Sequence, residues 1–92
     1  MIVAFDVDGT LINYADEPRQ EVLDMFKKYQ DEGHTMIIWS GGGRDYAAMW
    51  ARRLGLRALV MPKCCRDVDV AIDDAMDSEN WGKFKAGKII KV

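Results

Sequence analysis

Apolar residues recur along this chain in two different periods, and the switches between them mark out its elements. Residues 2–5 form a short apolar run ending at Asp6, the pattern of a strand buried on both faces and followed by a loop. Pro18 suits the first turn of a helix, with Asp16 or Glu17 placed to cap it. Val22, Met25, Phe26 and Tyr29 then recur at helical spacing, while Glu21, Asp24, Lys27 and Lys28 fall on the water-facing side. Gly33 is the expected left-handed stop.

Residues 35–39 read as a second strand that runs into Ser40, Gly41, Gly42 and Gly43. A second helix is predicted over 44–54, with Tyr46, Met49, Trp50 and Leu54 as its apolar stripe and Gly55 as its stop. Residues 58–61 and 68–72 read as strands three and four, the latter ending in Asp73-Asp74. A loop or short helical turn is predicted over 75–85, and a final strand over 88–92. This alternation predicts an α/β fold, a mostly parallel sheet with helices packed on it. At 92 residues, with no linker or repeat, the chain reads as a single domain, residues 1–92.

Composition narrows the picture. A chain 49% hydrophobic and 30% charged has enough apolar residues for a core, which argues against disorder. No apolar run approaches the roughly 18 residues that span a bilayer, and Asp6 and Asp8 interrupt any secretory pattern at the start, so a cytoplasmic protein is expected. Cys64 and Cys65 are adjacent and are read as reduced thiols, since bridging neighbours strains the ring. A net charge of −2 argues against general nucleic-acid affinity, leaving nucleic acid as a substrate at most. Between Arg44 and Arg66, however, Arg52, Arg53, Arg57 and Lys63 make a locally basic flank able to steer an anionic substrate.

The candidate chemistry lies just past the carboxyl ends of the predicted strands, where open α/β sheets bind ligands. Asp6 and Asp8 bracket one loop, in which Gly9 permits a sharp turn. A divalent cation there would neutralise two carboxylates and a phosphate together. Ser40 to Gly43 offers a hydroxyl and backbone N–H groups before a helix N-terminus, a cradle for phosphate. Lys63 is a point charge able to pair with an anion, and Asp73-Asp74 supplies hard oxygen ligands. An EF-hand count also fits Asp6, Asp8 and Glu17, but Gly9 falls two positions early and a strand precedes the loop.

In this order the residues resemble the signature motifs of the haloacid dehalogenase (HAD) superfamily. Asp6-Val7-Asp8-Gly9-Thr10 is similar to the family's DxDGT motif after its first strand, and Ser40 to the second motif. Lys63 stands for the basic third motif and Asp73-Asp74 for the acidic fourth. The fixed letters of the first motif arise by chance in a chain this long on the order of once in a thousand.

The resemblance implies a minimal, cap-less Rossmannoid three-layer fold with a five-stranded sheet ordered 3-2-1-4-5. It also implies an Mg²⁺-dependent phosphatase in which Asp6 is the nucleophile and Asp8 the general acid and base. The phosphate would lie against Thr10, Ser40, Gly41 and Lys63. Mg²⁺ would be held by Asp6, the Asp8 carbonyl and the Asp73-Asp74 pair, with the two members of that pair unranked.

Two features depart from the family pattern. Only six residues, 62–67, separate strands three and four, where a parallel crossover normally takes a dozen or more. They span at most about 20 Å, against roughly 14 Å of sideways travel plus a strand length back. With the crossover helix deleted, Lys63 or Arg66 is left to supply the third-motif cation. No cap is encoded, because residues 11–17 make no more than a small flap, so water exclusion falls to substrate, a partner subunit or Tyr14.

An open site suits a large phosphate ester. The Ser40–Asp45 stretch is similar to the Ser-Gly-Arg stretch in phosphatase domains of polynucleotide kinases, which makes a nucleotide or polynucleotide 3′-phosphate the first substrate expectation. A homodimer is compatible with the small core, and no membrane partner is expected. The alternative is a non-catalytic HAD-fold binding or regulatory protein. His34 reads as a solvated turn residue on the far edge, and Trp39, Trp50 and Trp81 as packing residues instead of a base-stacking platform.

Overall fold

The computed structural model describes residues 1–74 and 86–92. The elements run β1 (Ile2–Asp6), α1 (Gln20–Asp31), β2 (Thr35–Ser40), α2 (Arg44–Leu54), β3 (Leu59–Pro62), β4 (Val68–Asp73) and β5 (Ala86–Lys91). The five strands form one sheet in the order β3-β2-β1-β4-β5, and every pairing is parallel, so the sheet is wholly and not just mostly parallel. The loop or turn expected over 75–85, with Trp81, lies outside the described residues.

Both helices pack on the same face. Val3, Phe5, Met36, Ile38, Val70 and Ile72 project from β1, β2 and β4 against Val22, Leu23 and Phe26 of α1 and Ala47, Trp50 and Ala51 of α2. The Phe5 and Phe26 rings meet at 5.1 Å between centroids, tilted by 60°, an arrangement that adds about 1 kcal/mol to the burial of their area. The helical stripes read from sequence are the ones that pack, with Tyr29, Tyr46, Met49 and Leu54 at the margin of the core. Strand alternation sends Ala4, Ile37, Trp39, Val68 and Ala71 to the opposite face, where they too are buried. Trp39 and Trp50 are thus packing residues. No helix among the described residues is long and apolar enough to cross a membrane.

Several boundaries differ from expectation. α1 begins at Gln20, two residues after Pro18, and neither Asp16 nor Glu17 caps it. Pro18 instead bridges Ile12 in an antiparallel pair, and the Asn13 side-chain carbonyl accepts from the N–H groups of Ala15 and Glu17. That local bonding draws the acidic residues into a tight loop and away from the helix end. Leu11 and Ile12, expected in a flap, are fully buried, which leaves residues 14–17 as the exposed part. β3 and β5 each shift by one or two residues. Gly33 and Gly55 end the two helices in left-handed conformations, as expected.

Between β3 and β4 the chain crosses two strands with residues 63–67 and no helix. Lys63 continues the line of β3, donating its N–H to the Ser40 carbonyl at 3.0 Å. The chain then bends sharply at Cys64, which takes a positive φ of 63°. A non-glycine residue pays about 1–2 kcal/mol for that conformation. Cys64 and Cys65 are both free thiols.

Candidate active site

Strand register assembles the site. Asp6 lies opposite Trp39, the residue before Ser40, and Ser40 lies opposite Pro62, the residue before Lys63. On the other side Phe5 pairs with Ile72, so Asp6 and Asp73 end neighbouring strands. Four chain segments that are distant in sequence therefore deliver Asp6, Asp8, Ser40, Lys63, Asp73 and Asp74 to one edge of the sheet. They line a cleft of about 380 Å³ together with Gly41, Gly42 and Tyr14.

Lys63 reaches the centre of this cleft. Its Nζ lies 2.7 Å from Asp73 Oδ2 and 3.8 Å from Asp6 Oδ1. Arg66 is exposed and donates instead to the neighbouring Asp67 carbonyl at 3.3 Å. Of the two candidates for the third-motif cation, Lys63 is the one at the cleft, because its position is fixed before the crossing begins.

Burial dominates the electrostatics. The Asp6 carboxyl is pushed up to about 7, first by desolvation and then by the Asp73 carboxylate, with Lys63 opposing both. The Lys63 ammonium is desolvated, but its bond to Asp73 and the charge of Asp6 outweigh that and hold it above the usual lysine range. The Cys64 thiol is raised, chiefly by burial.

Four carboxylates against one ammonium, among the described residues of the cleft, leave a surplus of negative charge. Asp6, Asp73 and Asp74 each offer an oxygen within 4.8 Å of the others. Oxygens sharing one Mg²⁺ lie roughly 3–4 Å apart, so small side-chain rotations bring this set to one ion. Hard, charged oxygens and no nitrogen or sulfur ligand suit Mg²⁺. The two members of the acidic pair also separate: Asp73 is fully buried and paired with Lys63, while Asp74 is half-buried and accepts from the Tyr14 hydroxyl at 2.6 Å. That bond pushes the Tyr14 phenol up to about 12.

The Ser40 loop is more closed than its glycines suggest. The Ser40 hydroxyl accepts from the Gly42 N–H at 3.0 Å, and its carbonyl accepts from the Gly43 N–H at 3.1 Å. Two of the expected phosphate donors are thereby engaged inside the loop, leaving the Ser40 hydroxyl and the Gly41 backbone at the cleft. Thr10 is not brought to the cleft. It is fully buried, with its N–H bonded to the Val7 carbonyl at 3.1 Å, because the turn at Gly9 folds it beneath the loop. His34 lies at the opposite edge, beside the amino terminus.

Three residues with a place in the site were not singled out for it by sequence. Tyr46 donates its hydroxyl to Asp8 Oδ1 at 2.7 Å. Tyr14, expected only to exclude water, orients Asp74. Arg19 donates from Nη1 to the Gly9 carbonyl at 2.6 Å, bracing the loop that carries Asp6 and Asp8. Tyr46 was readable only as one apolar-stripe residue. Its nearness to the glycine loop, at the helix N-terminus, was the available signal.

A sequence profile of the haloacid dehalogenase-like hydrolases matches residues 3–62. The match takes in Asp6, Asp8 and Ser40 and stops one residue before Lys63, so Lys63 and the acidic pair rest on the geometry above. No curated protein and no solved structure matches the chain. The profile covers well over half of the chain, and a parallel 3-2-1-4-5 sheet with an aspartate loop after its first strand agrees with it. The chain belongs to the haloacid dehalogenase-like hydrolases.

Proposed function

We propose that the protein is an Mg²⁺-dependent phosphatase that hydrolyses phosphate monoesters through an aspartyl-phosphate on Asp6. The observation carrying this reading is the convergence of Asp6, Asp73 and Asp74 within 4.8 Å, with the Lys63 ammonium beside two of them. A divalent cation, held by these three carboxylates and the Asp8 carbonyl, supplies charge neutralisation that lets a phosphate dianion approach a carboxylate nucleophile.

The protein's own groups carry the steps. Ser40 and the Gly41 N–H orient the phosphoryl oxygens, and Lys63 offsets their charge. An Asp6 oxygen attacks phosphorus while the bond to the ester oxygen breaks, and Asp8 gives that leaving oxygen its proton. Asp8 then takes a proton from water, whose oxygen attacks phosphorus and breaks the bond to Asp6. Inorganic phosphate leaves, Asp6 is again a carboxylate and Asp8 again carries its proton.

The exposed 14–17 loop, with no cap over the cleft among the described residues, favours a large substrate, and a nucleotide or polynucleotide 3′-phosphate is the class we favour, with Arg44 beside the glycine loop to meet its backbone. Hydrolysis of 4-nitrophenyl phosphate tests the chemistry. Turnover with Mg²⁺ and none with chelator is expected. Equal turnover in chelator would overturn the metal-dependent reading. No turnover, together with no Mg²⁺ binding by calorimetry, would favour a non-catalytic binding protein.

A further inference from the structure

We infer that Tyr46 is a positioning residue for the acid-base step, holding Asp8 so that one of its oxygens stays free to carry the proton; this rests on the phosphatase reading above. Tyr46 lies in the first turn of α2 and 38 residues from Asp8 in sequence, yet its hydroxyl donates to Asp8 Oδ1 at 2.7 Å. Asp8 lies outside the Asp6, Asp73 and Asp74 oxygen cluster, so its side chain is committed to a different partner from the metal-binding set. With Oδ1 accepting from a phenol, Oδ2 is the oxygen left for proton transfer. Fixing the carboxyl plane in this way restricts the rotation that would otherwise scatter the acid away from the ester oxygen.

The glycine loop supplies an independent observation. A Cβ on Gly42 would stand 3.2 Å from Cδ2 and 3.3 Å from Cγ of the Tyr46 ring. That is closer than side chains normally pack, so residue 42 must be small for the ring to lie where its hydroxyl meets Asp8. Ser40 pins the same residue through its bond to the Gly42 N–H. Part of the Gly41–Gly43 run is thereby explained as room for Tyr46 and not as a phosphate nest.

General acid help matters most when the leaving group is a poor one, and that dependence separates positioning from structural support. The test compares Tyr46→Phe with the wild-type protein on 2-glycerol phosphate, an alkyl ester, and on 4-nitrophenyl phosphate, whose phenolate leaves without a proton. The expected result is a loss of about tenfold or more in kcat/KM, which reads the steps through departure of the leaving group, on the alkyl ester, and a change within about twofold in kcat/KM on the nitrophenyl ester. Gly42→Ala, which crowds the ring and keeps the hydroxyl, should show the same selective loss. An equal loss of kcat/KM on both esters, or none on either, would overturn the inference while leaving the phosphatase reading standing. A wild-type protein that hydrolyses neither ester and binds no Mg²⁺ by calorimetry would overturn the phosphatase reading and this inference with it.

Discussion

The Lys63 ammonium lies 2.7 Å from the fully buried carboxylate of Asp73, joining the start of the shortest connection in the sheet to the end of the strand that this connection reaches. The pair closes the crossing between β3 and β4 at its active-site end. The same ammonium faces Asp6, so one cation serves both the fold and the proposed nucleophile.

Removing that cation should therefore be costly and pH-dependent. Lys63→Met leaves Asp6 and Asp73 buried without their counter-charge, and breaking a buried pair from one side costs about 3–5 kcal/mol. Urea unfolding in chelator should show a loss near the low end of that range at pH 8. At pH 5 the loss should shrink, because Asp6 is then protonated. Added Mg²⁺ should restore part of the difference at pH 8.

The raised Asp6 carboxyl makes a signed prediction of its own. Its pKa moves from 3.8 to about 7 on folding, so its favourable contribution is fully present below pH 3.8 and is lost as pH rises through 7. In chelator, the stability of the wild-type protein relative to Asp6→Asn should fall by roughly 4 kcal/mol between pH 4 and 8, at about 1.4 kcal/mol per pKa unit. A flat difference across that range would contradict the burial argument.

Gly9 is bound to its place by two constraints. Its φ is +78°, and a Cβ there would run into the Asp74 carboxylate and the Tyr14 hydroxyl. Gly9→Ala should cost about 1–2 kcal/mol from the backbone alone. Its larger effect should be on Mg²⁺ binding, weakened at least tenfold by calorimetry, because the carboxylate that must move is one of the three proposed ligands.

How much of this was legible beforehand depends on the range of the interaction. Asp6, Asp8, Ser40, Lys63 and the acidic pair each end or follow a strand, and strand ends are set by local apolar runs, so their arrival at one edge could be read from the chain. The start of α1 could not, because the Ile12–Pro18 bridge and the Asn13 carbonyl outcompete a Pro18 start for the same residues. Thr10 shares the DxDGT motif, yet the turn that presents Asp8 buries Thr10. Tyr46 and Tyr14 bond to carboxylates 38 and 60 residues away, contacts that no local pattern encodes.

The central claim is that Asp6 takes the phosphoryl group, and its most direct test is to trap that group on the chain. Asp8→Asn should still accept phosphate from radiolabelled 4-nitrophenyl phosphate, since that leaving group needs no acid, but should hydrolyse the adduct slowly. After acid quench and proteolysis, the account predicts hydroxylamine-labile label on the peptide that contains Asp6, and none when Asp6 is also replaced by Asn. Label on a different residue, or undiminished turnover by the Asp6→Asn protein, would contradict it.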